Sequence, residues 1–254
     1  MTAFGARGRG TRFERVVAPL ALLATIVLVG PAVGDDPFAE WTRDLEKAIT
    51  QLEAGETKAA TRALDALLEE YADLAWPGET SEKNLGRILL YRAIAMQQAG
   101  RVEDAHWDMD LAAIFLPEVS GFDLGRFGEG GHSLSEYAVQ AARELVALAS
   151  STSEVATGAI EREGIVIPPK VVRKEKPRYP TGARRFLGKG KLVVQLIIDE
   201  SGRVVHARVV EKVNHPVLTY STLQAFRKWK FEPATLNGKP IRVYYDLTVH
   251  FGLR

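Results

Sequence analysis

Two periods of apolar residues divide this chain. From Phe38 to Leu116 they recur at spacings of three and four, the mark of amphipathic helices. Leu45, Ile49 and Leu52 form one stripe, closed by Gly55, and Ala60, Leu64, Leu67 and Leu68 form the next, ending at Tyr71. Leu89, Ala93 and Met96 lead to Gly100; Ala105, Met109, Ala112 and Leu116-Pro117 follow. "GFDLGRFGEGGH" (121–132) predicts a glycine-rich loop, and Ser133-x-x-Glu136 a capping box that opens a last helix through Leu134, Ala138, Ala141, Leu145 and Leu148. The polar, small-residue stretch "SSTSEVATGAIEREG" (150–164) predicts a linker.

Beyond it the period becomes two. Leu192, Val194, Leu196 and Ile198 alternate with Val193, Gln195 and Ile197, and Glu200-Ser201-Gly202 supplies a tight turn into Val205, Ala207 and Val209. Asn214 and Pro216 open a helix with Leu218, Thr222, Ala225 and Trp229 on one face. Pro233 and Asn237-Gly238 then introduce a final strand. Ile241, Val243, Tyr245, Leu247, Val249 and Phe251 fall on one side of it, and Arg242, Tyr244, Asp246, Thr248 and His250 on the other. A strand with one apolar face needs neighbours. The pattern predicts a three-stranded antiparallel sheet with the helix on its apolar face, able to fold apart from the helical part. The fold class expected is α+β, an all-α helical domain followed by a small sheet-plus-helix domain.

Charge sharpens the division. Residues 35–164 carry 11 Lys/Arg against 25 Asp/Glu, a net −14, and residues 165–254 carry 18 against 6, a net +12. Such a split implies different partners for the halves, attraction between them, or two solvated surfaces. The export signal at the N-terminus makes the acidic half or envelope polyanions better counterparts for the basic half than nucleic acid.

At the N-terminus Arg7, Arg9, Arg12 and Arg15 precede an uncharged apolar run from Val16 to Val29. These are the two leading regions of a secretory signal. The run spans about 21 Å as a helix, or about 27 Å if extended to Val33, against a hydrocarbon core of about 30 Å. Ala32 and Gly34 set small residues for cleavage before Asp35. Residues 1–34 are a signal peptide or, through 16–33, a retained anchor. Either carries residues 35–254 across the inner membrane.

Catalytic chemistry is not suggested. The chain has no cysteine, and His106, His132, His206, His215 and His250 lack ligand spacing. No nucleophile-elbow, phosphate-loop or zinc-protease pattern occurs. No enzyme, metal or cofactor is expected. His206 and His250 are expected on the solvent side of the sheet.

Two resemblances add to this reading. The pair of helices around Gly100 resembles a tetratricopeptide repeat, with Ala105, Met109, Ala112 and Pro117 at the small, bulky, small and proline positions. The pair around Gly55 fits more loosely, and "DLAWPGETSEK" reads as an insertion. A plain helical bundle accounts for the same stripes. "KPRYP" (176–180), "GKGKLVVQLIIDESGRV" (188–204), "AFRKWKFEPATLNGKPIRV" (225–243) and "DLTVHFGLR" (246–254) resemble the C-terminal domain of TonB-type energy transducers. The expected organisation is a signal or anchor over 1–34, a tetratricopeptide-like domain over 38–149, a linker over 150–167 and a TonB C-terminal-like domain over 168–254.

That resemblance implies a periplasmic protein that binds an outer-membrane TonB-dependent receptor, a β-barrel, by taking a receptor peptide as an added strand. The matching positions are Tyr179 and Pro180, and Arg242, Val243, Tyr244, Tyr245, Asp246, Leu247, Thr248, Val249 and His250. Tyr179-Pro180 also reads as a plain extended turn. Transducing members use inner-membrane proton-channel partners through a Ser/His pair in the anchor; Val16–Val33 has no His, and Thr25 is its one hydroxyl. Acidic helices replace the family's proline-rich spacer. A homodimer is a further partner expectation. The alternative is a cell-envelope scaffold, with the repeats recruiting a protein and the C-terminal domain self-associating or holding the wall. Which edge of the sheet is open does not follow from alternation.

Overall fold

The computed structural model describes residues 39–75, 77–158, 165–179, 183 and 190–252. The expected signal or anchor, 1–34, lies outside them. Five helices come first: α1 (Ala39–Glu53), α2 (Thr57–Leu74), α3 (Glu79–Gln98), α4 (Val102–Phe115) and α5 (Gly128–Gly158). Their stripes are where the spacing places them: Leu45, Leu52, Ala60, Leu64, Leu67, Leu68, Tyr71, Leu89, Ala93, Met96, Ala105, Met109 and Ala112 are all buried. Helix α3 is buried on nearly every side, because it lies against α1, α2, α4 and α5 at once.

Two local expectations fail here. Ser133 does not cap a helix: α5 begins at Gly128, inside the stretch expected to be a loop. The glycines serve close approach instead. A Cβ on Gly131 would lie 1.8 Å from the Leu124 carbonyl oxygen, and one on Gly130 would lie 3.1 Å from the Gln98 side chain. The expected linker, 150–167, is also structured at both ends. Helix α5 continues to Gly158, since no proline or glycine interrupts Ser150–Thr157, and Val166–Ile167 is paired as a strand.

The remaining elements are β1 (Val166–Ile167), β2 (Lys170–Arg173), β3 (Gly190–Ile198), β4 (Val204–Glu211), α6 (Pro216–Arg227), β5 (Lys230–Glu232), β6 (Ala234–Leu236), β7 (Lys239–Ile241) and β8 (Val243–Phe251). The main sheet has the order β4-β3-β8, all antiparallel. This α+β arrangement of a helical part followed by a three-stranded sheet with a covering helix is the one the alternation predicts. Val205 is the exception. A bulge sets Ile198 opposite Val204 and Ile197 opposite His206, so Val204 is buried and Val205 turns outward.

Asn237-Gly238 makes the β6–β7 hairpin rather than leading straight into the last strand, with both residues at positive φ. The arm 165–173 pairs antiparallel along this hairpin and β5, with Val166 opposite Leu236 and Val171 opposite Phe231. Trp229 lies just past α6, buried against Phe226 and Phe231.

Residues 37–254 form one compact unit with a continuous apolar core. Helix α6 is buried over most of its surface, with Tyr220, Gln224 and Arg227 half-exposed. One side covers the sheet, and the other lies against α3, so that Val217, Leu218, Thr219, Thr222 and Leu223 are all buried. The expectation of a C-terminal domain folded apart from the helices therefore gives way to a shared core. Buried Asp108 sits at this junction. Its carboxylate accepts from Arg92 Nη1 at 2.8 Å, and Arg92 Nε donates to Asp65 at 2.7 Å. Burial raises the Asp108 pKa to about 7 against the pull of Arg92 and Arg227.

Candidate partner-binding edge

The β3–β4 turn fixes which way each backbone group of the sheet points. The Asp199 N–H donates to the Arg203 carbonyl at 2.9 Å, and the Asp199 carbonyl accepts from Gly202 N–H at 3.0 Å. Both Asp199 groups thus face β4. Backbone groups alternate in direction along a strand, and antiparallel partners alternate between bonded and non-bonded pairs. Ile198, Leu196, Val194 and Leu192 therefore turn toward β8. Their partners there are Val243, Tyr245, Leu247 and Val249, in an unbroken register that ends at Gly190 opposite Phe251. Asp246, Thr248 and His250, the intervening residues, direct N–H and C=O away from β3. They face the outer side of the sheet, where β8 is the terminal strand among the described residues.

The turn itself is built around the Asp199 carboxylate. Oδ1 accepts from Ser201 N at 2.9 Å, Ser201 Oγ at 2.7 Å and Arg203 N at 2.8 Å, and Oδ2 accepts from Arg203 Nε at 3.1 Å. Gly202, at φ 76°, is required there, because a Cβ would lie 1.8 Å from the Phe231 carbonyl oxygen. Burial works to raise the Asp199 pKa, but the bonds from Ser201 and Arg203 outweigh it and hold it low. A depressed carboxylate pKa contributes stability that is present above the unfolded value and lost as pH falls through the folded one. Asp199→Asn is thus expected to cost about 1–2 kcal/mol at neutral pH, the difference between charged and neutral acceptors. Urea unfolding should show that gap closing as the pH falls below about 4.

Side chains on β8 alternate as expected. Asp246, Thr248 and His250 are exposed; Val243, Tyr245, Leu247 and Val249 are half-buried against the core. Gln195 Nε2 donates to Asp246 Oδ1 at 3.1 Å across the exposed face. Phe231 holds Tyr245 edge-on at 5.2 Å. Tyr179 meets the far end of the strand, its ring 6.1 Å from that of Phe251 in an edge contact. The structure thus brings Tyr179 together with β8. Pro180 lies outside the described residues. Arg242 is exposed between β7 and β8, beside Lys230 and Arg203 in a groove of about 630 Å³ whose opposite wall includes Trp107 and Tyr137.

His250 is exposed, as expected, but His206 is not a surface residue. Its Nδ1 lies 2.7 Å from Asp110 Oδ2, and its side chain is 13% exposed. This contact belongs to a second set of residues that sequence reasoning missed, the seam between the acidic and basic halves. Lys212 Nζ lies 2.7 Å from Glu82, and Arg227 Nη2 lies 2.7 Å from Asp104. Arg227 also stacks over Trp107 at 5.4 Å. Burial works to raise the Asp104 pKa, yet Arg101 and Arg227 together hold it low. The opposite net charges of the halves are the one sequence signal that pointed here. Among the described residues no group of three or more His, Asp or Glu is arranged to hold a metal ion.

Comparison with known proteins finds a family match over the C-terminal part of the chain. Residues 175–253 match the model described as Gram-negative bacterial TonB protein C-terminal. Protein TonB of Yersinia enterocolitica is 39% identical over 64 residues, which are 25% of this chain and 25% of that protein. Protein TonB of Vibrio cholerae is 28% identical over 86 residues, 34% of this chain and 35% of that protein. Protein TonB of Xanthomonas campestris is 30% identical over 77 residues, 30% and 34% of the two chains. The chain therefore spans a quarter to about a third of the length of these relatives. A solution structure of the Pseudomonas aeruginosa TonB C-terminal domain aligns at 28% identity and a TM-score of 0.30, over 34% of this chain and 86% of that one. The C-terminal third of the protein is a TonB-family C-terminal domain.

Proposed function

We propose that this is a periplasmic TonB-like protein that binds outer-membrane β-barrel receptors by adding a receptor peptide to the outer edge of β8. The observation that carries this reading is the nine-residue, bulge-free strand Val243–Phe251 standing at the edge of the sheet within the region matched by the TonB family. Main-chain bonds from Asp246, Thr248 and His250 would supply affinity, and the exposed side chains between Arg242 and His250 would tune register. Tyr179 and Pro180 would flank the far end of the added strand.

The reading takes 1–34 as the segment that delivers the chain across the inner membrane, whether cleaved or kept as an anchor. Among the described residues no helix is long and apolar enough to cross a membrane. It also takes α1–α2 and α3–α4, which turn at Gly55 and Gly100, as two tetratricopeptide-like hairpins. Energy coupling through proton-channel partners would need a polar pair that Val16–Val33 lacks, so passive receptor binding is the form proposed. The test is capture of detergent-solubilised outer-membrane receptors by the immobilised full chain. Wild type should retain them, and Thr248→Pro, with its circular dichroism unchanged, should not. Equal retention by both would refute binding at β8.

A further inference from the structure

The sheet has two edges, and they are treated differently. Edge β8 is regular and is the terminal strand among the described residues, whereas β4 carries register shifts and lies against α4. By the alternation that fixes β8, the backbone groups of Ala207 and Val209 point away from β3, on the strand that α4 packs against. Met109, Ala113 and Ile114 of α4 and Ala138 of α5 line a slot shared with Ala207 and Val209. The helices are fastened there by two ion pairs, Glu82 to Lys212 and Asp104 to Arg227, and by a hydrogen bond between Asp110 and His206, with the Lys212 ammonium 6.0 Å above the Phe115 ring. An uncovered strand edge is a template for pairing with another sheet, and covering it with a helix is one way proteins prevent this.

We propose that the acidic helical half is a built-in guard of the β4 edge: docked by these ion pairs, it keeps β4 from pairing with the sheet of a second copy, so that strands add at β8 alone. The occupant of the basic β4 and α6 surface is thereby this chain's own α3–α5 region. Three observations select it over a second copy. The net charges are opposite, the two ion pairs and the Asp110–His206 hydrogen bond are formed within one chain, and α6 is buried between sheet and α3. The inference goes beyond receptor binding, and its test uses neither receptor nor peptide.

Lys212→Glu with Arg227→Glu sets like charges against Glu82 and Asp104 in the full chain. Hydrogen exchange over 204–211 and 216–227 reports undocking, and light scattering across a concentration series reports self-association. Exchange in both segments should accelerate at least tenfold, and the average mass should rise with concentration above that of wild type. Adding Val209→Pro, which removes an outward N–H from β4, should return the mass to the wild-type value while exchange stays fast. Adding Glu82→Lys and Asp104→Arg should restore both readouts. Should the reversal fail to fold, Lys212→Ala with Arg227→Ala removes the attraction without adding repulsion and is read in the same way. Fast exchange with unchanged mass would overturn the guard. Unchanged exchange would overturn its ionic fastening, and self-association that persists with Val209→Pro would show that β4 is not the edge involved.

Discussion

Proline substitutions along β8 should fall into two classes that alternate strictly. Asp246→Pro, Thr248→Pro and His250→Pro lose an N–H that faces outward, a position where an edge strand tolerates proline. These variants should keep the wild-type circular dichroism spectrum and lose receptor binding. Each removes a main-chain donor from the added strand's ladder and leaves its acceptor unpaired, at about 1–3 kcal/mol, so affinity should fall about five- to 150-fold. Tyr245→Pro, Leu247→Pro and Val249→Pro lose the N–H that binds β3 and force the ring against the ladder. Their cost should be about 3 kcal/mol or more, and the domain should unfold. By contrast, Thr248→Ala keeps the main chain and should cost only about 0.2–1 kcal/mol of pairing energy.

Trp229→Ala should be the most damaging side-chain truncation in the C-terminal part. The ring is 8% exposed, 4.9 Å from Phe226 and 6.2 Å from Phe231, and its Nε1–H donates to the Glu175 carbonyl at 2.8 Å. Removing a large buried aromatic costs about 3–5 kcal/mol. The indole also ties the extended 174–179 segment to the core, and Lys174 lies 5.3 Å over its face. Trp229→Phe should recover most of the loss and leave about 1 kcal/mol, the hydrogen bond to Glu175. Urea denaturation of the three proteins checks the order. A midpoint unmoved in Trp229→Ala would place the ring outside the core.

What could be read from sequence was whatever one buried face enforces. Leu192 to Ile198 and Val243 to Phe251 alternate because each strand has one side on the core. The bulge at Val205 escaped because an extra residue leaves the hydrophobic count unchanged while reversing its phase. The arm at 165–173 escaped because it pairs by backbone to residues some sixty to seventy positions away while Val166, Ile167 and Val172 stay exposed, so no pattern marks it. Helix α3 was read from a single stripe, though its central position buries it nearly all round. His206 looked like a surface residue, since its partner Asp110 is 96 positions distant and belongs to the other half. The outward-facing backbone groups of β8 follow from the order β4-β3-β8 and from the phase of the Asp199 turn. Both are properties of the assembled sheet rather than of any one strand.

The most direct test of strand addition at β8 is residue-resolved amide exchange, with and without a peptide from the periplasmic segment of an outer-membrane receptor. Binding as proposed should slow exchange at Asp246, Thr248 and His250, whose N–H groups would gain partners. The N–H groups of Tyr245, Leu247 and Val249, already bonded to β3, and those of β4 should change little. Protection that appears on β4 or the helices instead, with Asp246, Thr248 and His250 unchanged at saturating peptide, would contradict the account.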